Sequence, residues 1–163
     1  MSRAFIKEND SDVPDDLPEL PLSGHPNYVT PQGLAQLRQR LADGEARLAG
    51  IDTDAVGAPL EKAMIERELR WLQARIADAI PVANERKSQE RVAFGATVEM
   101  ADQDDHRLRY RIVGEDEADP EHGSISWVSP LARALNGARI GDSVIWKRPA
   151  GDLEVEILGI DYR

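Results

Sequence analysis

The best candidates for metal ligands in this sequence are two neighbouring aspartates. Asp52 and Asp54 stand two residues apart in a stretch rich in turn-forming residues. Two carboxylates placed in this way could ligate a divalent cation such as Mg²⁺. The alternative is structural: the side chain of Asp54 or Thr53 caps the turn by accepting backbone N–H groups, and Asp52 only adds to solubility. The sequence leaves both interpretations open.

Other candidate ligands are less well placed. The chain has no cysteine, which excludes disulfides, thiolate metal sites and cysteine nucleophiles. The three histidines fall in the N-terminal segment and in two predicted turns, which favours surface imidazoles over metal ligands: His25, His106 and His122. The acidic run at residues 102–105 is typical of a solvated hairpin tip. A second run at residues 115–119 lacks the ligand spacing of an EF-hand.

Two helical segments flank the loop that carries the aspartates. Thr30 is a good N-cap, and Pro31 suits the first helical position, where a missing N–H has no cost. Apolar residues then recur at the spacing of a coiled-coil seam: Leu34, Leu37, Leu41, Leu48 and Ile51, followed by Ile65, Leu69, Leu72 and Ile76. Gly44 fills the vacant seam position, and helix propensity predicts that Ala or Leu there would be more stable. The pattern predicts an antiparallel hairpin roughly 30 Å long.

A free-standing hairpin is favoured over half of a four-helix bundle, because no further long helical pattern follows. Instead the hydrophobic period changes to two, which is the period of strands. Strands are predicted at residues 91–101, 107–113, 124–128, 143–148 and 153–162. One short helix is predicted at residues 130–136, behind a Ser129 cap.

The sequence therefore predicts an α+β protein with four segments. Residues 1–29 carry six acidic residues, two basic residues and four prolines. Because such a segment cannot bury enough apolar surface to offset its ordering entropy, it is predicted to be a disordered acidic tail. Residues 30–80 form the antiparallel helical hairpin, residues 81–91 a linker, and residues 92–163 a compact β-rich domain.

Charge and hydropathy limit the classes of function. The formal net charge is −10, so the chain has no electrostatic reason to bind the phosphates of duplex DNA directly. No apolar run approaches the length of a membrane span or a signal peptide. Together with the absence of cysteine, these features predict a soluble, cytoplasmic protein.

Short motifs in the C-terminal part are more specific than these patterns. They are Phe94-Gly-Ala-Thr-Val98, Tyr110-Arg-Ile-Val-Gly-Glu-Asp-Glu-Ala-Asp-Pro120, Ile125-Ser126, Ser129-Pro-Leu-Ala-Arg-Ala-Leu135, Gly141-Asp142 and Pro149-Ala-Gly-Asp-Leu-Glu154. In order and approximate spacing they resemble the bacterial GreA/GreB family. The stretch Tyr28-Val-Thr-Pro-Gln-Gly-Leu34 also resembles the start of that family's coiled coil, so the resemblance covers residues 28–163.

The resemblance implies a coiled-coil finger followed by a domain with an FKBP-like fold. In that family the C-terminal domain holds the rim of the RNA polymerase secondary channel, and the finger reaches towards the active site. Acidic residues at the fingertip help to bind a catalytic magnesium ion and its attacking water. Such a factor is a co-catalyst of the polymerase's own RNA cleavage and not an enzyme, and its only metal is the polymerase's magnesium. The implied partners are RNA polymerase and the nascent RNA in the channel.

The resemblance also implies which residues act. Polymerase docking is assigned to the acidic loop and the following turn: Glu115, Asp116, Asp119, Pro120, Ser129 and Pro130. The family's fingertip resembles Gly-Asp-Leu-x-Glu-Asn-Ala-Glu-Tyr, and no such string occurs here. A gapless alignment places Ala55 and Ala58 where its two acidic residues should be. The nearest carboxylates are then Asp52, Asp54 and Glu61, of which Asp52 and Asp54 are the candidate catalytic residues. The first arm is shorter than the family's.

Three functions follow from these observations. The first is a polymerase-binding elongation factor of the Gre type that acts through the secondary channel. The second is a channel-binding regulator that does not stimulate cleavage and competes with Gre factors. The third is a prolyl isomerase or chaperone, which an FKBP-like fold suggests. That activity needs an aromatic-lined cleft, and the whole chain has only eight Phe, Trp and Tyr residues.

Overall fold

The computed structural model describes residues 17–84 and 88–163. Two compact units are present in it. One contains residues 17–22 and 37–77, and the other contains residues 23–36 and 78–163. The predicted α+β class, a helical hairpin followed by a small β-rich domain, is confirmed. Most of the predicted acidic tail (residues 1–16) and part of the predicted linker (residues 85–87) lie outside the described residues.

Two helices form the hairpin, α1 (Pro31–Ala49) and α2 (Ala58–Ala77). The predicted N-cap is present, because Thr30 Oγ1 accepts a hydrogen bond from the backbone N–H of Gly33 at 3.0 Å. Of the nine apolar residues of the predicted seam, five are half-buried and the other four are buried, Leu37, Ile65, Leu69 and Leu72. Burying each of these side chains contributes about 1.5–3 kcal/mol, so the seam holds the two arms together. None of the described helices is both long enough and apolar enough to cross a membrane.

Gly44 marks a close contact between the two helices. A Cβ atom placed on Gly44 would lie 2.7 Å from Cδ2 of Leu69, inside van der Waals contact. Leu69 is only 7% exposed, so it has little room to move away. This contact argues against the expectation that leucine at position 44 would stabilise the hairpin, because helix propensity does not report the space between the arms.

Gly44→Leu is expected to lower the free energy of unfolding by about 1–3 kcal/mol, as is typical of overpacking. Gly44→Ala is expected to be milder, because the gain of about 1 kcal/mol in helix propensity offsets a small shift of the Leu69 methyl group. Urea unfolding followed by circular dichroism measures both effects. A Gly44→Leu protein that is as stable as wild type would show that the arms lie further apart at this level.

A two-stranded parallel ladder connects the two ends of the hairpin. Strand β1 (Asn27–Val29) pairs with β2 (Ala79–Pro81), with Asn27 opposite Ala79 and Val29 opposite Pro81. Parallel strands need a long crossover connection, and here the helical hairpin supplies it. Residues 27–29 fall within the predicted disordered tail, but Asn27 and Val29 are only 3% and 1% exposed. Pairing with a strand some 50 residues away is a long-range contact that local composition does not reveal.

The remaining strands form one mixed sheet in the order β5–β4–β3–β7–β6. Its strands are β3 (Thr97–Asp102), β4 (Arg107–Val113), β5 (Ser124–Ser126), β6 (Ser143–Trp146) and β7 (Leu153–Asp161). All neighbouring pairs are antiparallel except β4 and β5. Strand β3 begins six residues later than the predicted strand at residues 91–101. The reason is a turn at Gly95, which has a φ of +88° and whose N–H donates to Ile112 O.

The core of this unit lies between the sheet and the short helix α3 (Pro130–Leu135). Ser129 caps α3 as predicted, and its side chain accepts a hydrogen bond from Ala132 N. The central side chains are completely or almost completely buried: Val98, Met100, Leu131, Leu135, Val155 and Ile157. This packing fixes the connection between β4 and β5, which carries most of the predicted docking residues.

Candidate functional site

The apical loop between α1 and α2 carries both candidate metal ligands. Asp52 Oδ1 accepts a hydrogen bond from Asp54 N at 3.0 Å, and Ala55 N donates to Asp52 O at 3.2 Å. Asp52 therefore caps the turn. The structural interpretation assigned that role to Asp54 or Thr53, so it named the wrong residue. Both aspartates are exposed, so solvent reaches their carboxylates as well.

Apolar packing does not hold this loop in place. Val56 is fully exposed, and Gly57 has a φ of +83°, a region that favours glycine. Ala58, one of the two alanines at expected acidic positions, starts α2 and is only 4% exposed. Metal ligation requires carboxylates fixed to within fractions of an ångström. The tip of this loop is held by local hydrogen bonds, from Asp54 N to the Asp52 side chain, from Ala55 N to Asp52 O and from Ala58 N to Ala55 O, and is poorly suited to that task.

Most of the predicted docking residues lie in the connection between β4 and β5. Since β4 and β5 are parallel, the segments that follow their carboxyl ends lie at the same edge of the sheet. Glu115 follows β4 and Ser129 follows β5, so these two predicted residues share that edge. Asp119 instead pairs with Ser124 at the start of β5, through two backbone hydrogen bonds of 2.9 and 3.0 Å.

Burial divides these predicted residues into two groups. Glu115, Asp116 and Ser129 are partly buried. Two of them have visible structural roles, because Glu115 accepts a hydrogen bond from Ser23 Oγ at 3.0 Å and Ser129 caps α3. The other three are exposed and available to a partner: Asp119, Pro120 and Pro130. The Asp119 carboxylate lies 2.7 Å from Nδ1 of the exposed His122, and such a surface contact is easily broken.

Glu117 has the most connected side chain in this connection, and the sequence did not single it out. Its Oε2 accepts hydrogen bonds from Thr30 N at 2.9 Å and from Gly114 N at 3.1 Å. Its Oε1 accepts a further hydrogen bond from the Thr30 hydroxyl. A carboxylate here also lies at the N-terminus of α1, where negative charge is favourable. Glu117 therefore anchors the acidic loop to the start of the hairpin.

Glycines make room for the Glu117 carboxylate. A Cβ atom on Gly33 would come within 1.9 Å of Glu117 Cδ, and one on Gly114 would lie 2.4 Å from Tyr28 O. No sequence signal distinguishes Glu117 from the acidic residues beside it, because its partner Thr30 is 87 residues away. Gly33 and Gly114 are the only hint in the sequence that a side chain packs closely against the start of α1 and the end of β4.

An aromatic cavity of about 240 Å³ lies beside α3. It is lined by Tyr28, Phe94 and Trp127, among others, and the rings of Tyr28 and Trp127 meet edge to face at 5.1 Å. Pockets for small ligands usually enclose about 300–1,000 Å³. This cavity is smaller than that range, so it gives little support for prolyl isomerase activity.

The β3–β4 turn holds a cluster of potential cation ligands, Asp102, Asp104 and His106, with ligand atoms within 4.8 Å of one another. The Asp102 carboxylate accepts the backbone N–H groups of Asp104 and His106, each at 2.9 Å, and lies 3.0 Å from His106 Nδ1. The hydrogen bond from the His106 backbone, with the others, holds the pKa of Asp102 below its ordinary value. These contacts are those of a solvated hairpin tip, as the sequence predicted.

Comparison with known proteins gives consistent results. The family described as "Transcription elongation factor, GreA/GreB, C-term" matches residues 87–162. Transcription elongation factor GreA of Desulfovibrio desulfuricans (strain ATCC 27774 / DSM 6949 / MB) is 33% identical over 135 residues, which are 82% of this chain and 81% of that protein. Transcription elongation factor GreB of Neisseria meningitidis serogroup B (strain ATCC BAA-335 / MC58) is 43% identical over 99 residues.

The match to the Neisseria protein covers 60% of this chain and 61% of the relative, so the chain spans less than two thirds of that relative's length. Among solved structures, the crystal structure of GreA factor homolog 1 of Thermus thermophilus is 27% identical and covers 84% of this chain and 99% of that one, with a TM-score of 0.42.

Proposed function

The chain belongs to the GreA/GreB family of transcription elongation factors, and from this premise we propose that it binds RNA polymerase at the rim of the secondary channel. In this proposal the C-terminal unit docks on the polymerase and the helical hairpin enters the channel. Occupancy of the channel, and not delivery of a metal ligand, is its main effect. The protein acts on the polymerase and has no reaction of its own.

The exposed residues of the β4–β5 connection and of α3 support the docking part of the proposal. Asp119 and Pro120 present an acidic, solvent-accessible turn, and Pro130 is exposed at the first position of α3. Glu117 holds this connection rigidly through three hydrogen bonds. A partner would therefore meet a preformed surface, which lowers the entropic cost of binding.

The apical loop carries the second part of the proposal. The observation that carries it is that the Asp52 carboxylate caps its own turn. It is supported by the buried alanine that starts α2. A magnesium ligand must come within about 2.0–2.1 Å of the ion, and a displacement of about 1 Å can lower the rate on the order of 100-fold. The arms have only 19 and 20 residues, about 30 Å at 1.5 Å per residue, which limits their reach.

Cleavage assays on backtracked transcription complexes test this proposal. We expect RNA cleavage with this protein to stay near the level of polymerase alone, and cleavage stimulated by an active GreA protein to fall as this protein is added. Asp52→Asn and Asp54→Asn should leave both results unchanged, as should the matched control Glu45→Gln on the exposed face of α1.

One outcome would contradict the proposed absence of cleavage, and another would contradict the proposed docking on RNA polymerase. Robust cleavage that is lost in Asp52→Asn or Asp54→Asn, but not in Glu45→Gln, would make the protein a cleavage factor with a relocated acidic tip. Absence of competition at saturating concentrations, together with absence of polymerase binding, would remove the docking proposal itself.

A further inference from the structure

Residues 17–22, here called the strap, lie along the outer face of α2. Three donor side chains of α2 hold the strap, and they occupy positions i, i+3 and i+4 of the helix, which share one face. The contacts are Arg67 Nη1 to Pro18 O at 3.1 Å, Arg70 Nη2 to Glu19 Oε1 at 2.6 Å, and Trp71 Nε1 to Pro21 O at 3.1 Å. Two further hydrogen bonds of 3.1 Å join Arg70 Nε to the same carboxylate.

Further guanidinium groups surround Trp71. Arg40 lies 5.5 Å and Arg75 5.9 Å from the centre of the indole ring, within the range of a cation–π contact. Arg67, Arg70 and Trp71, with Arg40 of α1, form a surface that we call the α2 ridge. Arg75 is only 4% exposed and is not part of that surface. It is separate from the seam of the hairpin, which uses Ile65, Leu69 and Leu72.

The strap has the properties of an extended peptide ligand. Proline at positions 18 and 21 fixes φ near −65°, and residues that precede proline favour extended conformations. In a polyproline II segment, with three residues per turn, the carbonyl groups of Pro18 and Pro21 point to the same side. Their donors on the helix, Arg67 and Trp71, are four residues apart and likewise share one side.

From this match we infer that the α2 ridge is a binding surface for an extended, acidic, proline-containing peptide of a partner protein, and that the strap occupies it as an intramolecular competitor. Two of the three donors bind backbone carbonyls, and the third binds a carboxylate with a fork of N–H groups. This is the chemistry of peptide recognition. A protein of net charge −10 is poorly suited to hold an RNA backbone instead. The inference does not depend on the proposed binding of RNA polymerase.

The ion pair between the strap and α2 is weak enough to break and re-form. The side chains of Arg70 and Glu19 are 52% and 61% exposed, and exposed ion pairs contribute little to stability. The hydrogen bond from Arg70 holds the pKa of the Glu19 carboxyl below its ordinary value. The carboxylate therefore keeps its charge at neutral pH, and the contact weakens only as the pH falls through that lowered pKa. At neutral pH the strap is closed but able to exchange with another peptide.

The test uses the full chain and a fluorescein-labelled peptide with the sequence of residues 15–24, followed by fluorescence anisotropy. Glu19→Arg places two positive groups together and should open the strap. If the strap is closed about nine-tenths of the time, the open variant should bind the peptide roughly tenfold more tightly than wild type. Glu45→Arg makes the same change of charge on exposed α1 and should change the affinity less than twofold.

Two further variants establish where and how the peptide binds. Trp71→Phe in the Glu19→Arg protein removes the indole N–H but keeps an aromatic ring, and the loss of one hydrogen bond should weaken binding by about 2- to 12-fold. A peptide with alanine in place of both prolines should also bind more weakly. The inference is overturned if Glu19→Arg gains no more than Glu45→Arg, if the alanine peptide binds equally well, or if labelled oligouridylate gains more from Glu19→Arg than the peptide does.

Discussion

Glu117→Ala is expected to lower the free energy of unfolding by about 2–4 kcal/mol, because it leaves buried donors without their acceptor. Thr30 is only 1% exposed, and its N–H and hydroxyl both donate to the Glu117 carboxylate, as does Gly114 N. Water has little access to replace these bonds. The loss also removes a negative charge from the start of α1. Urea unfolding followed by circular dichroism measures the change.

The matched control for this change is Glu121→Ala, which removes a carboxylate from an exposed position in the neighbouring 3₁₀ turn. It should alter stability by less than about 0.5 kcal/mol. A double-mutant cycle with Thr30→Val should show strong coupling between positions 30 and 117, since the two side chains share one hydrogen-bond group. Additive effects, or equal losses from Glu117→Ala and Glu121→Ala, would show that the carboxylate does not anchor the loop.

Asp119→Lys combined with Pro130→Lys is expected to weaken binding to RNA polymerase on the order of 100-fold, as loss of central contacts at an interface does. Both residues are exposed, and the hydrogen bonds that fix Asp119 come from its backbone. The side chains can therefore change while the loop keeps its shape. The dissociation constant should be measured at one fixed salt concentration, because charge reversal also alters the salt dependence of association.

The β6–β7 turn offers a control with the same residue types. Asp152→Lys combined with Pro149→Lys makes the same two substitutions at exposed positions of the same unit and should change the affinity less than threefold. Equal losses from both double variants would mean that net charge alone governs binding. Unchanged affinity in the Asp119 and Pro130 variant would place docking on another surface.

Local patterns account for the elements that the sequence predicted correctly. Thr30 and Pro31 mark the start of α1 because N-cap chemistry depends on the residues next to it. The seam spacing around Leu69 and Leu72 identifies the hairpin because helical periodicity is also local. Alternation of apolar residues locates β4 and most of β7 in the same way.

Long-range contacts account for what the sequence did not predict. Glu117 is indistinguishable in composition from Asp116, and only the fold brings it to Thr30. Gly44 reads as an unfavourable helix residue, and only the position of Leu69 shows why a larger side chain does not fit. The strap is likewise invisible in composition, because a segment rich in proline and acid is typical of disorder until the donors of α2 are known.

The candidate site likewise combines features that local sequence predicts with features that only the fold shows. The motifs predicted which loops dock on a partner, and that assignment stays a prediction. Burial shows which of the named residues are exposed. Asp119 and Pro130 remain available, whereas Glu115 and Ser129 have structural roles in the loop and in α3. At the apex, Asp52 caps the turn, whereas the structural interpretation of the sequence gave that role to Asp54 or Thr53.

The pairing of β1 with β2 makes the helical arms an insertion whose two ends are fixed side by side. Val29 and Ala79 belong to neighbouring strands in a fixed register. The number of residues between these two strands can therefore change without altering the core of the C-terminal unit. The two helices can be longer or shorter, provided that both change by the same number of residues and that the seam keeps its hydrophobic period. The length of the arms can thus change while the β1–β2 pair at their ends stays the same.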